Sequence, residues 1–224
     1  MPAVLVTRGR QRSSKLAALS SGVPEMRRAR FSREDLERHQ GRQLLDLVGP
    51  GMRLLWVTIS PGLWSVAVGA PFAHPANRFW PALHAGRVVD RPIRVSGGMR
   101  EADRRYIAGL GMGFASLVPQ AVADPAALTA ADLRAGRKRL VGLVEQYRPR
   151  VVAVCGILGY QLACSRRDAV TPGKQNEPLA GADVWVVPNP SVANDVNILE
   201  LAAAYRAAAI AAGITEPGRR PAGR

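Results

Sequence analysis

Three short, almost uninterrupted apolar runs constrain this chain more than any other feature: Arg53–Ile59 (RLLWVTI), Val151–Cys155 (VVAVC) and Val184–Pro188 (VWVVP). A strand with one wet face alternates apolar and polar residues. A continuous β-branched run is instead buried on both faces, as in a parallel sheet covered by helices. Phe114–Pro119 is a weaker run of the same kind. Helical signals lie between these runs. Thr129 with Asp132 reads as a capping box, Leu133, Leu140, Val144 and Tyr147 recur on one helical face, and Arg148-Pro149 closes the segment. Ser32 before Glu34-Asp35 starts a helix over 33–46 that Gly49-Pro50-Gly51 ends. A last helix covers 196–212, with Leu199, Ala203 and Ile210 toward the sheet. The expected fold is α/β: a three-layer α/β/α sandwich on a central, mostly parallel four-stranded sheet. In such sheets ligands gather at the carboxyl ends of the strands. Two loops leave those ends, Ser60-Pro61-Gly62 through Trp80 and Pro188 through Asn194.

The length of 224 residues suits one domain. We divide it into a flexible basic arm (1–30), a single α/β domain (31–213) and a basic tail (214–224). The chain has 31 Lys+Arg against 17 Asp+Glu, a net charge of +14. That balance points to a polyanionic partner, and nucleic acid is the commonest one. No apolar stretch is long enough to span a bilayer, and the N-terminus lacks the plan of a secretory signal. Cys155 and Cys164 read as free thiols of a reducing cytoplasm. With His39, His74 and His84 as its three histidines, the chain has too few ligands for a Cys/His metal site. No metal or cofactor is expected.

Several chemistries drop out on motif grounds. There is no phosphate-binding GxxxxGK[ST] and no GxSxG nucleophile turn, and Gly109–Gly113 precedes a strand instead of following one. No carboxylate pair suits glycosidase acid/base work. His84 and His39 read as solvated, and Trp56 and Trp185 as core. What remains is the first loop, TISPGLWSVAVGAPFAHPANRFW (58–80), and the second, PNPSVAN (188–194). By themselves these could be ordinary turns.

In this order and spacing, however, the two loops resemble the mismatch-specific uracil/thymine-DNA glycosylase family. PFAHPANRFW (71–80) is similar to the family's segment nearly letter for letter, and Thr58–Leu63 is similar to its Gly-Ile-Asn-Pro-Gly-Leu. Asn189–Ala193 is similar to its Asn-Pro-Ser-Gly-Leu. Residues 133–156 and 173–175 also look like family segments, and the likeness spans about 40–212. It implies a monomeric, monofunctional DNA-repair enzyme that flips a base out of duplex DNA and hydrolyses its N-glycosidic bond. The substrate would be uracil or a related damaged base, opposite guanine in double-stranded DNA. Ser60 would be catalytic, in place of the family's water-holding Asn. Ile59, Ser65, Phe72, His74, Asn77 and Asn189 would form the base pocket, with Phe72 stacking on the base. Pro190, Ser191, Val192, Ala193 and Lys174 would meet DNA.

Departures from the pattern bear on activity. Ser60 is shorter than Asn, Ala193 stands where the family has a wedge Leu, Asp195 replaces a basic residue, and Thr58 replaces Gly. Two other readings stay open: a catalytically weak or inactive binder of mismatched or abasic DNA that uses the same cleft, and a small-molecule N-glycoside hydrolase.

Overall fold

The computed structural model describes residues 31–165 and 169–214, so the basic arm, Arg166–Asp168 and the end of the tail lie outside the described residues. The strands are β1 (Leu54–Thr58), β2 (Met112–Ser116), β3 (Val151–Cys155), β4 (Gly173–Lys174) and β5 (Asp183–Val187). The helices are α1 (Arg33–Glu37), α2 (Leu63–Val68), α3 (Phe79–Ala85), α4 (Glu101–Gly109), α5 (Ala130–Tyr147), α6 (Ile157–Cys164) and α7 (Ile198–Ala211). The sheet order is β2-β1-β3-β5-β4. All pairs are parallel except β4 with β5. The mostly parallel α/β sandwich is as expected, with five strands in place of four. The extra one is a two-residue antiparallel edge strand, too short to carry a periodic signal.

Because the strands are buried on both faces, their side chains alternate between two cores. Leu54 and Trp56 face α3 and α7 with Phe79, Leu83, Leu201 and Tyr205. Leu55 and Val57 face α5 and α6 with Leu140, Val144 and Tyr160. Gly136 lets α5 come down on the end of β2, since a Cβ there would strike the Leu117 carbonyl. Both expected N-caps are present: Ser32 with Asp35 and Thr129 with Asp132 form reciprocal capping boxes.

Three expectations need correction. The first helix runs only over Arg33–Glu37. Beyond it, Gly41 turns the chain at φ +73°, and Gly41, Leu44 and Leu47 give their N–H groups to Ala121, Pro119 and Phe114 (2.8–3.1 Å). Long-range pairing thus replaces helical hydrogen bonds. The second strand runs over Met112–Ser116, not 114–119, because it pairs in register with Leu54–Thr58. The last helix has the expected span but the opposite face. Leu201, Ala202, Tyr205, Ala208 and Ala209 are buried, whereas Leu199, Ala203 and Ile210 are exposed. No helix among the described residues is long and apolar enough to cross a membrane.

Candidate active site

Beyond the carboxyl end of β1 the chain keeps pairing for one more residue. Leu117 and Val118 donate to the carbonyls of Thr58 and Ile59 (both 2.8 Å). Ser60-Pro61 then leaves the sheet, and Gly62 begins α2 as its N-cap without any side-chain hydrogen bond. The N-cap position of α2 is thus Gly62 and not Ser60. Ser60 lines a cavity of about 370 Å³ at the carboxyl ends of β1 and β2.

The end of α2 and the turn after it build one wall. Gly69 closes the helix in the left-handed conformation (φ +65°), and the chain doubles back through Pro71-Phe72-Ala73. Phe72 itself sits at φ +55°, a region that bulky side chains avoid and that persists only where the surroundings over-determine it. They do so here. Trp80 Nε1 donates to the Pro71 carbonyl (3.0 Å), and the Ala73 N–H donates to the buried Ser65 Oγ (3.1 Å). One face of the Phe72 ring lies flat on Phe79, centroids 3.9 Å apart and planes 7° apart. Phe72 is half-buried and borders the cavity, and its ring also meets Phe114 edge-on at 6.4 Å.

His74 and Asn77 continue this wall. His74 Nδ1 accepts from the Ala76 N–H (3.2 Å), and its ring meets Trp64 edge-on at 5.5 Å. Asn77 Oδ1 accepts from the Phe79 N–H (2.9 Å) at the start of α3, which commits its acceptor and leaves its Nδ2 donors uncommitted among the described residues. The second loop closes the opposite side with Asn189 and Pro190. Asn189 Oδ1 accepts from the Ser191 N–H (3.0 Å), and its carbonyl accepts from Asn194 Nδ2 (2.9 Å).

Arg78, which sequence reasoning passed over, joins the two loops. Its main-chain N–H donates to the Pro190 carbonyl (3.2 Å). Its guanidinium donates to the carbonyls of Ser191 (2.5 Å), Asn194 (2.6 Å) and Val196. The planar, many-donor guanidinium suits this convergence of carbonyls, which an ammonium could not match. Tyr205 adds a bond from its hydroxyl to the Pro188 carbonyl (2.9 Å). Burial, aided by neighbouring Cys155, pushes that hydroxyl well above the usual tyrosine range, so it stays a donor. The Cys155 thiol is likewise pushed up by burial. On the far side Asp46 borders the cavity and is ion-paired with Arg139, which also donates to the Ser116 carbonyl.

The cavity thus brings together Ser60, Ser65, Phe72, His74, Asn77, Asn189 and Pro190. It leaves out Ile59, which lies beside Gly159 of α6, and also Ser191, Val192, Ala193 and Lys174. Val192 and Ala193 are exposed on the second loop. Lys174 is on the edge strand, paired with Asp183 at 2.7 Å. Leu36, Leu44, Trp64 and Asp46 line the cavity although nothing in their sequence context singled them out.

Residues 45–210 match the uracil DNA glycosylase superfamily. That segment takes in the sheet, both loops and every cavity-lining residue except Leu36 and Leu44. The chain belongs to the uracil DNA glycosylase superfamily. Enzymes of the uracil DNA glycosylase superfamily are hydrolases that release uracil-like bases from DNA in base-excision repair. The cavity at the carboxyl ends of β1 and β2 is where this superfamily member joins its two loops.

Proposed function

We propose that the chain is a monofunctional glycosylase of the mismatch-specific branch, acting as a cytoplasmic monomer on uracil or a related damaged base opposite guanine in duplex DNA. The observation that carries this reading is the Phe72 turn. A strained aromatic residue, pinned from both sides, keeps a ring at the cavity wall, as stacking on an extruded base requires. The N-glycosidic bond would break with its electron pair leaving on the base. A water oxygen would then bond to C1′, and one water proton would end on the base nitrogen. Ser60 holds that water in our reading, since it lines the cavity and is not the N-cap residue of α2. In this reading the Asn77 amide and the Phe72 main-chain N–H serve the departing base, where donors stabilise developing negative charge. The loop Pro190-Ser191-Val192-Ala193 meets the duplex, with Lys174 farther out on the edge strand.

The second reading is a weak or inactive binder of mismatched or abasic DNA. Its support is the exposed loop itself, which presents Ala193 and Asp195 and so has neither a bulky wedge nor a basic tip. A single-turnover cleavage panel decides between them, with uracil, thymine, hypoxanthine and ethenocytosine opposite each base and in single strands. Release of uracil opposite guanine supports the first reading. Damage-dependent binding without release of any base refutes it in favour of the second.

A further inference from the structure

The superfamily match begins at residue 45, yet the cavity has a wall that begins earlier. Residues 31–44 form a strap anchored on both sides of the mouth. At one end the Phe31 ring meets Trp64 edge-on at 4.9 Å, and α1 packs on α2. At the other end Gly41 and Leu44 donate to the carbonyls of Ala121 and Pro119 (2.8 and 3.1 Å). Ala121 donates back to Arg42 (2.8 Å), and the Ala123 N–H donates to Gln40 Oε1 (3.0 Å). Between these anchors Leu36 and Leu44 line the cavity, next to Val122. Leu36, Leu44 and Val122 are apolar, and the charged lining residue that follows Leu44 in the chain, Asp46, is ion-paired with Arg139. Ser60, Asn77 and Asn189 supply further polar groups to the lining.

We infer that the strap 31–44 is a specificity element that sets, through Leu36 and Leu44, the largest base the cavity accepts. This rests on the reading of the cavity as a base site. An unsubstituted pyrimidine satisfies the polar lining through its carbonyl and N–H edges. Atoms added to the base have to fit against the leucines, and an apolar wall discriminates by size, not by hydrogen bonding. The Gln40–Leu44 anchor runs to 119–123, outside both loops, whereas the α1 end rests on Trp64 and α2 of the first loop. Leu44 is therefore the position at which the wall can be altered without touching the loop of Ser60 and Phe72.

The test uses the full chain and its Leu36→Ala, Leu44→Ala and Leu44→Phe variants. Duplexes carry either 5-alkyluracils of increasing size or cytosines with a ring fused across N3 and N4, each as cleavable nucleotides and as non-hydrolysable 2′-fluoro analogues. In an apolar pocket one methylene is worth roughly 10- to 200-fold in kcat/KM. The ratio of the bulkiest base to uracil should therefore rise about tenfold or more in the alanine variants and fall in Leu44→Phe. Melting temperatures identify any variant that fails to fold. Ratios unmoved in both base sets, or moved in the same direction by Ala and Phe, overturn the inference while leaving the glycosylase reading intact. If the wild-type chain neither cleaves any base nor binds any 2′-fluoro analogue better than undamaged duplex, the reading of the cavity fails and the strap proposal with it.

Discussion

Arg78 offers a sharp test of how the two loops work together. In Arg78→Ala, the carbonyls of Ser191, Asn194 and Val196 lose their shared donor. Hydrogen bonds to a charged group contribute about 1.5–3 kcal/mol each. Three bonds from one side chain do not add, and the freed carbonyls of a surface loop can turn to water. We therefore expect a net loss of about 3 kcal/mol, near the value of one to two such bonds. For a domain of this size that corresponds to a drop of roughly 6–12 °C in Tm. Arg78→Lys keeps the charge but not the planar fork, and should recover less than half of the loss. Function should suffer selectively. If the second loop opens the duplex, a slack loop slows single-turnover release from double-stranded DNA about 10-fold or more, an energy of ~1.4 kcal/mol. Release from single strands, where no partner base is displaced, should change little. Thermal unfolding and cleavage of both substrates on the same samples check this. A Tm within 2 °C of wild type, or equal losses on the two substrates, would refute the idea that Arg78 holds the loop in shape for duplex DNA.

Ser60→Ala should lose most of the single-turnover rate with little change in DNA affinity or Tm, and Ser60→Asn should raise the rate on uracil. A destabilised but fully active Ser60→Ala protein removes Ser60 from the chemistry. Phe72→Ala should weaken excision or damaged-base binding by about 1–3 kcal/mol, read as the change in kcat/KM, whereas unchanged values would make Phe72 a packing residue only. Burial and the hydrogen bond with Asp90 push the Tyr106 hydroxyl up to about 12. Its folded-state value thus exceeds the ordinary value near 10, so its stabilising effect is complete below about pH 10 and lost as pH rises toward 12. Denaturant unfolding across that window should show a steeper decline for wild type than for Tyr106→Phe. Gly136→Ala should destabilise by about 1–3 kcal/mol, because the new methyl meets the Leu117 carbonyl; an unchanged denaturation midpoint would show that α5 can shift outward freely.

Local chemistry in the sequence determined much of this protein. Continuous apolar runs became buried parallel strands because no other environment suits them on both faces. Ser32 and Thr129 formed capping boxes because the partner acid lies three residues away. Pro and Gly at the strand ends set the two loops where parallel sheets leave a cleft, and seven of the expected residues border it. Other features depended on contacts between distant segments. The α7 segment is Ala-rich and apolar almost all round, so its periodicity carried no direction until the Tyr205 ring packed against Trp56 and Phe79. The first helix stopped early because strand-like bonds to 114–121 displaced helical ones. Arg78 reads as one more exposed cation until the fold brings residues 191–196 over its guanidinium. Leu36 and Leu44 become a cavity wall only when their strap crosses from α2 to the segment at 119–123. In each case the deciding partner is tens of residues away, and a pattern confined to one helical turn or one strand contains no record of it.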